Sequence, residues 1–298
     1  MTKFRHIAGT GVALVTPFKN DKSVDFDALK KLVHHVINGG VDFLVVMGTT
    51  AEAATLTAEE RLDVLNEIVK INDKKLPIVL GMGGNNTELL SRQIKEADLS
   101  SVDALLSVCP YYNKPNQAGL YEHFKRVSES TDKSIILYNV PGRTGADLAA
   151  ETTLKLANDF DNIVAVKEAS GNLDKAMEII RQKPNGFTVL SGEDALNLPL
   201  ISMGMEGVIS VVANAYPWEL SNLVLASRQG NLSEARLFHY LLLQITNLMF
   251  KEGNPVGVKA VLTKMDIIQN ELRLPLVNSS DALTDAIRKE VEKIQSVK

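Results

Sequence analysis

Residues 78–86 read Ile78-Val79-Leu80-Gly81-Met82-Gly83-Gly84-Asn85-Asn86, a short apolar run delivered into a glycine-rich turn. An open, doubly wound α/β sheet carries its dinucleotide fingerprint at such a place, as G-x-G-x-x-G between a strand and the next helix. Here the third glycine position holds Asn86, so the fingerprint fails. The decision between an open sheet and a barrel then passes to the number of comparable runs. Seven more occur, at 10–15, 43–47, 104–108, 134–138, 163–167, 188–190 and 207–211. All are short, bounded by Gly, Pro or polar residues, and mostly without period-two alternation. That pattern suits parallel strands covered on both faces.

Helix-length segments lie between the runs. Thr57-Ala58-Glu59-Glu60 forms a capping box, with Leu62, Leu65, Ile68 and Val69 following at helical spacing. Asp25 leads into Leu29, Leu32, Val33 and Val36, and Gly39-Gly40 closes that helix. Further helices fit 87–99, 117–130, 148–158, 173–182, 194–203 and 217–228. Eight strands each followed by a helix predict an α/β protein of the (β/α)8 TIM-barrel class. The barrel is assigned to residues 1–230 as the catalytic unit. Residues 231–298 read as a C-terminal helical extension packed on it, with an apolar stripe of Leu237, Tyr240, Leu241, Ile245, Leu248 and Met249 and further helices at 255–266 and 282–296. No Gly/Ser/Pro-rich linker sets this tail apart as an independent domain.

Composition bounds the function. A chain of 298 residues, 45% hydrophobic and 23% charged, has the makeup of a folded globular protein rather than a disordered one. The net charge of −4 and the absence of a basic cluster argue against nucleic acid as a partner. Residues 1–11 lack the long apolar core of a signal peptide, and no run of about 18 apolar residues could span a membrane, so a cytoplasmic location is expected. The single cysteine, Cys109, allows no intrachain disulfide and no Cys-based zinc site. His34 and His35 are adjacent on one helix, while His6, His123 and His239 have no companion at metal-ligand spacing, so neither a metal nor a cofactor is expected. Glu193-Asp194 places acid where a barrel would hold a phosphate.

In a barrel the chemistry sits at the C-terminal ends of the strands. Lys167 ends the run Ile163-Val164-Ala165-Val166 without a polar break. A desolvated lysine holds more neutral amine than one in water, and that amine can form a Schiff base with a carbonyl substrate. The competing reading is a strand-end lysine that snorkels to solvent or pairs with Glu168. Tyr138 and Tyr112 are phenols at two further strand ends, able to shuttle a proton if the Thr49 hydroxyl lines up with one, or else amphipathic rim residues. Thr49 and Thr50 offer hydroxyl and amide donors for a carboxylate, or are turn residues. Arg143 can clamp a carboxylate through its fork, or pair with Asp147 on the following helix. Cys109 has no base beside it in sequence and reads as a buried thiol.

Four segments together carry a resemblance: Gly48-Thr49-Thr50-x-Glu52, Tyr111-Tyr112-Asn113-x-Pro115, Tyr138-Asn139-Val140-Pro141-x-Arg143-Thr144-Gly145 and Val166-Lys167-Glu168-Ala169-Ser170. In order and spacing the chain resembles the 4-hydroxy-tetrahydrodipicolinate synthase (dihydrodipicolinate synthase) family of pyruvate-dependent lyases, from about Gly9 to the C-terminal helices. The resemblance implies condensation of pyruvate with L-aspartate 4-semialdehyde through a Lys167 Schiff base, in the diaminopimelate route to L-lysine. Tyr138 would donate and accept the proton. Thr49 and Tyr112 would complete the relay, Tyr112 entering from a neighbouring subunit. Thr50, the main chain at Ile209 and the small Gly192 would line the pyruvate site, and Arg143 would bind the semialdehyde carboxylate. A homotetramer built as a dimer of tight dimers is implied too.

The nearest alternatives are N-acetylneuraminate lyases and 2-keto-3-deoxy sugar-acid lyases of the same superfamily. The former typically lack the arginine at 143 and carry Gly-Ser-Thr in place of Gly48-Thr49-Thr50. A non-catalytic barrel scaffold would be favoured by loss of the lysine or the tyrosine, and both are present. Two departures from the family pattern, Ala51 and Gly142, supply no catalytic side chain. A third bears on regulation. Lysine-inhibited relatives place histidines or a glutamate around an interface cleft where this chain has Ala58, Arg61 and Leu89, with Asn85 and Tyr111 matching; an alignment offset near Glu88 would return an acid. Weak or absent lysine feedback is expected.

Overall fold

The computed structural model describes residues 7–297; the segment 1–6, part of the stretch read above as lacking a signal-peptide core, lies outside the described residues. Eight parallel strands follow one another in chain order around a closed barrel. They are β1 (Gly9–Ala13), β2 (Phe43–Val46), β3 (Ile78–Gly81), β4 (Ala104–Val108), β5 (Ser134–Asn139), β6 (Ile163–Glu168), β7 (Thr188–Ser191) and β8 (Gly207–Ser210). Between them come α1 (Phe26–Asn38), α2 (Ala58–Asn72), α3 (Thr87–Glu96), α4 (Gln117–Ser128), the single turn α5 (Pro141–Thr144), α6 (Ala150–Asp159), α7 (Leu173–Gln182) and α8 (Asn197–Ser202). Then follow α9 (Pro217–Arg228) and the tail helices α10 (Leu232–Phe250), α11 (Val256–Lys264) and α12 (Asp281–Val297). This is the (β/α)8 architecture with additional C-terminal helices that the strand count predicts. The strands lack alternation because they are buried along nearly their whole length.

By its internal packing the chain forms two compact units. One joins the segment ending at Gly9 to Pro77–Ile209, and the other joins Thr10–Leu76 to the chain from Ser210 onward. Within the second unit α10 packs on α9 and α12, and α11 packs on α12.

Buried strands must still satisfy their terminal peptide groups, and one device recurs. Asp42, just before β2, accepts from the Thr10 amide at 2.7 Å and donates its own amide to the Thr10 carbonyl at 2.7 Å. Asp103, before β4, makes the same pair of bonds with Ile78, at 2.8 and 2.9 Å. Glu206, before β8, does so with Val189, at 2.9 and 3.0 Å. At the remaining position, before β6, the Asn162 carbonyl takes the Ile135 amide at 2.7 Å.

The helix starts follow their caps. Thr57 and Glu60 exchange the two bonds of the capping box at 3.1 and 2.9 Å, and Asp25 caps α1. At the end of α1 it is Gly40, with φ of +81°, that takes the left-handed turn. Helix 148–158 starts two residues late because Asn139 holds the Leu148 amide and Gln117 holds the Ala149 amide. The segment 194–203 splits into a 3-10 turn, Asp194–Leu196, and α8. Asn197 bonds Ser191 and Asp194 at the break.

The α10 stripe is corrected. Leu237 and Tyr240 are 74% and 67% exposed, while Ala235, Leu242, Ile245, Thr246, Leu248 and Met249 face inward. Apolar residues surround this helix on most sides, so the face that packs is set by α9 and α12 and not by composition. On α2, Leu62 is likewise exposed, and Val64, Leu65, Ile68 and Ile71 are the buried set.

A buried ion pair anchors the second unit. Lys259 on α11 and Glu52 are fully buried and joined Nζ to Oε1. Burial pushes the Lys259 ammonium down to about 8, against the pull of the Glu52 charge. Its Nζ also donates to the Glu271 carbonyl at 2.8 Å and lies 4.2 Å from the centre of the Phe18 ring. The Arg273 amide donates to the other Glu52 oxygen at 3.0 Å. The Arg273 guanidinium forks onto Glu60 at 2.6 and 2.7 Å and holds that carboxyl down at about 2. Removing one partner of a buried pair strands the other charge. Lys259→Met is therefore expected to cost about 3–5 kcal/mol in denaturant unfolding. Adding Glu52→Gln should recover a substantial part of that; a single-variant cost below about 1 kcal/mol would refute the account.

Candidate active site

β5 and β6 are hydrogen-bonded neighbours, and their register sets Tyr138 opposite Lys167 and Asn139 opposite Glu168. In-register residues of parallel neighbours share a face, and successive residues alternate. Tyr138 and Lys167 therefore point to one side, and Asn139 and Glu168 to the other. Both members of the first pair are buried, with Lys167 Nζ 4.3 Å from the centre of the Tyr138 ring. Lysine amine and phenol thus meet in a dry setting, as a Schiff-base lysine with a proton carrier requires.

The second pair locks the first in place. Asn139, fully buried, donates through Nδ2 to Glu168 Oε2 and to Asp147 Oδ1, each at 2.9 Å. Its Oδ1 accepts from the Leu148 amide at 2.9 Å. Glu168 Oε1 accepts from the Ser170 amide at 2.7 Å, and Lys175 pairs with Asp147. Glu168 is thereby committed away from Lys167, and no ion pair joins the two among the described residues. Asp147 likewise belongs to Lys175 and Asn139, and it precedes α6 instead of lying on it. The competing reading of Lys167 paired with Glu168 is not realised. The sequence reading gave Asn139 no role; a polar residue next to the strand-end tyrosine, facing the opposite way, was the available signal.

Gly192, just past β7, sits beside the lysine. A Cβ there would lie 2.8 Å from Lys167 Cε and 2.5 Å from the Ala169 Cβ, so only glycine leaves the lysine its room. The next residue, Glu193, is half-buried, and desolvation together with Asp194 raises its carboxyl while Lys167 and Arg143 draw it down. Ile209 is buried within β8. Arg143 is exposed on the α5 turn. Cys109 is buried, and desolvation with the Glu168 and Asp147 charges pushes its thiol up to about 12, so it is inert as a nucleophile.

Tyr112 stands apart from this cluster. It lies on the β4–α4 loop, 89% exposed, with φ of +74°. A left-handed backbone is costly for an aromatic residue and persists only where its surroundings impose it; here the Tyr112 amide donates to the Thr144 carbonyl at 3.3 Å.

In the other unit, Thr49 and Thr50 form a 3-10 turn, Thr49–Ala51, at the end of β2. Thr49 is exposed and Thr50 is buried. Two left-handed non-glycine residues bracket the turn, Met47 at φ +59° and Glu52 at φ +54°. Thr16 Oγ1 donates to the Ala51 carbonyl at 2.7 Å.

Of the residues matched to the regulatory cleft, Arg61 donates to the Ala53 carbonyl at 2.6 Å in one unit. In the other, Asn85 donates to the Tyr111 carbonyl at 3.4 Å, and Leu89 is exposed. Glu88, the acid an alignment offset would supply, is held by Arg126 at 3.2 and 3.3 Å.

The profile of the dihydrodipicolinate synthetase family matches residues 6–294. The 4-hydroxy-tetrahydrodipicolinate synthase of Azobacteroides pseudotrichonymphae is 49% identical over 283 residues, spanning 95% of this chain and 96% of that protein. The crystal structure of dihydrodipicolinate synthase from Thermotoga maritima superposes with a TM-score of 0.94 at 39% identity, covering 97% of this chain and 99% of that one. The chloride-inhibited enzyme from Acinetobacter baumannii, solved with pyruvate, gives 0.94 at 37% identity over 97% and 99%. No helix among the described residues is long and apolar enough to cross a membrane. With the lysine and tyrosine in register and these matches spanning nearly the whole chain, the protein belongs to the dihydrodipicolinate synthetase family.

Proposed function

We propose that this protein condenses pyruvate with L-aspartate 4-semialdehyde to give 4-hydroxy-tetrahydrodipicolinate, in the diaminopimelate route to L-lysine. The observation that carries the reading is the Tyr138–Lys167 register, with Gly192 leaving space against the lysine. Family membership and relatives named as this synthase support it. The Lys167 amine adds to the pyruvate ketone, and loss of water gives the imine. Loss of a methyl proton converts the imine to an enamine, whose carbon attacks the semialdehyde aldehyde. Attack of the substrate's own amine on the imine carbon then closes the ring and expels Lys167. Each step moves one proton near the lysine, and Tyr138 is the group at hand to take and return it.

The remaining assignments follow the family resemblance. Thr50 holds the pyruvate carboxylate through hydroxyl and amide, with the Ile209 main chain and Gly192 completing that site. Arg143 takes the semialdehyde carboxylate. Thr49 and Tyr112 extend the proton relay; the exposure and imposed backbone of Tyr112 favour a side chain presented to a neighbouring subunit. The assembly is a homotetramer, a dimer of tight dimers, acting in the cytoplasm without metal or cofactor.

Three measurements test this reading. Borohydride added with pyruvate should fix a single adduct, mapped by peptide mass spectrometry to Lys167; an adduct elsewhere, or none, overturns the mechanism. Condensation with aspartate semialdehyde should exceed cleavage of N-acetylneuraminate or of a 2-keto-3-deoxy sugar acid by about 100-fold or more in kcat/KM. The reverse preference would keep the chemistry and reject the substrate. Lysine should inhibit weakly or not at all, because Arg61 repels its ammonium and Glu88 is engaged by Arg126. Strong inhibition below about 1 mM lysine, a ligand free energy past about −4 kcal/mol, would contradict that.

A further inference from the structure

The tail segment around Asn254 reaches the threonine turn in a way the four motifs do not announce. Asn254 Nδ2 donates to Thr50 Oγ1 at 3.0 Å, and both side chains are buried. Five residues on, Lys259 closes the ion pair with Glu52, two residues beyond Thr50. One short stretch of the tail thus grips the turn twice, once on the Thr50 hydroxyl and once on the residue that ends the turn.

The direction of the first bond matters. A hydroxyl carries one proton and two lone pairs, and it rotates to suit its neighbours. A neighbour that accepted the Thr50 proton would leave only lone pairs for an incoming carboxylate, which repel it. The amide NH2 of Asn254 can only donate. It therefore occupies a lone pair of Oγ1 and leaves the O–H proton as the group to be shared with an anion. Meanwhile Thr16 fixes the Ala51 carbonyl, and Lys259 and the Arg273 amide fix Glu52 in its left-handed conformation, so the turn has little freedom to compensate.

We propose that Asn254 is a positioning residue for the 2-oxo acid: through Thr50 it sets the hydroxyl as a proton donor to the substrate carboxylate. The inference rests on the carboxylate role proposed above for Thr50, and it adds to that role a residue from the C-terminal extension, which the sequence reading had left without chemistry.

The test uses the full-length protein and pyruvate as the probe. Borohydride trapping on Lys167, followed against pyruvate concentration, gives a half-saturation value separate from overall turnover. Asn254→Ala should raise that value about tenfold, as the loss of one bond supporting an anion contact does. The trapping rate at saturating pyruvate and the KM for aspartate semialdehyde should stay within about twofold of the parent. Asn254→Asp keeps the shape but offers only acceptors, so it should take the Thr50 proton and raise the value further; it also decides the matter if Asn254→Ala does not fold. On a Thr50→Val background, Asn254→Ala should add less than about twofold, the non-additivity expected of residues acting through one another.

A half-saturation within about twofold of the parent in either Asn254 variant overturns the proposal. So does an equal loss in the saturating rate and in the semialdehyde KM, which would mark a general structural role. Additive effects of Asn254→Ala and Thr50→Val overturn it too. Failure of the underlying reading looks different: the parent protein itself would give no Lys167 adduct, or Thr50→Val would bind pyruvate as the parent does.

Discussion

A strand covered on both faces has nowhere to send the polar groups at its ends except to neighbouring side chains, and most of the architecture answers that constraint. At one end of the strands the answer is an acid placed one residue before β2, β4 and β8, which returns both hydrogen bonds of a single residue on the preceding strand. At the other end, the answer is Asn139, the last residue of β5, which spends its whole amide on Glu168, Asp147 and Leu148. Each unsatisfied buried group would cost about 1–3 kcal/mol, so these positions have little freedom to vary. The site inherits its order from them. Lys167 and Tyr138 have Asn139 and Glu168 as strand neighbours pointing the other way, because the strand period turns each polar anchor away from the face they share.

The same logic explains why the site is organised from strands and turns more than from long side-chain networks. The lysine needs a dry wall and clear space. The wall comes from burial of β6, and the space from a glycine where any Cβ would collide with the lysine stem. The threonine turn is held by contacts from elsewhere in the chain. The Thr49–Ala51 turn is pinned by Thr16, Asn254 and the Glu52–Lys259 pair, and two left-handed residues on either side show that its shape is imposed by these contacts.

Much of this was legible in the sequence, for reasons that can be named. The eight strands announced themselves because double burial makes them continuously apolar, and the failed fingerprint at Asn86 removed the open-sheet reading. The helix starts were legible where a local side chain decides them, as at Thr57 and Asp25. Boundaries set by partners distant in sequence were not. Asn139 and Gln117 hold the amides that delay α6, and nothing near Leu148 signals them. The inward face of α10 escaped for a related reason: when apolar residues lie on most sides, only the packing neighbours choose among them. In the site, Lys167 and Tyr138 could be placed because strand ends suffice to place them, whereas Gly192 was reached only through the family resemblance. Asn254 could not be placed, since its partner lies 204 positions away.

That separation has a consequence for how the enzyme comes into being. The threonine turn is synthesised early, but Asn254, Lys259 and Arg273, which fix it, emerge from the ribosome some two hundred residues later. At about 5–20 residues per second the delay is roughly 10–40 s. Throughout that interval Glu52 has neither of its partners, and the turn has no reason to hold its left-handed bend. The threonine turn is thus among the last parts of the chain to take shape, and the nascent chain carries Lys167 well before that turn is fixed.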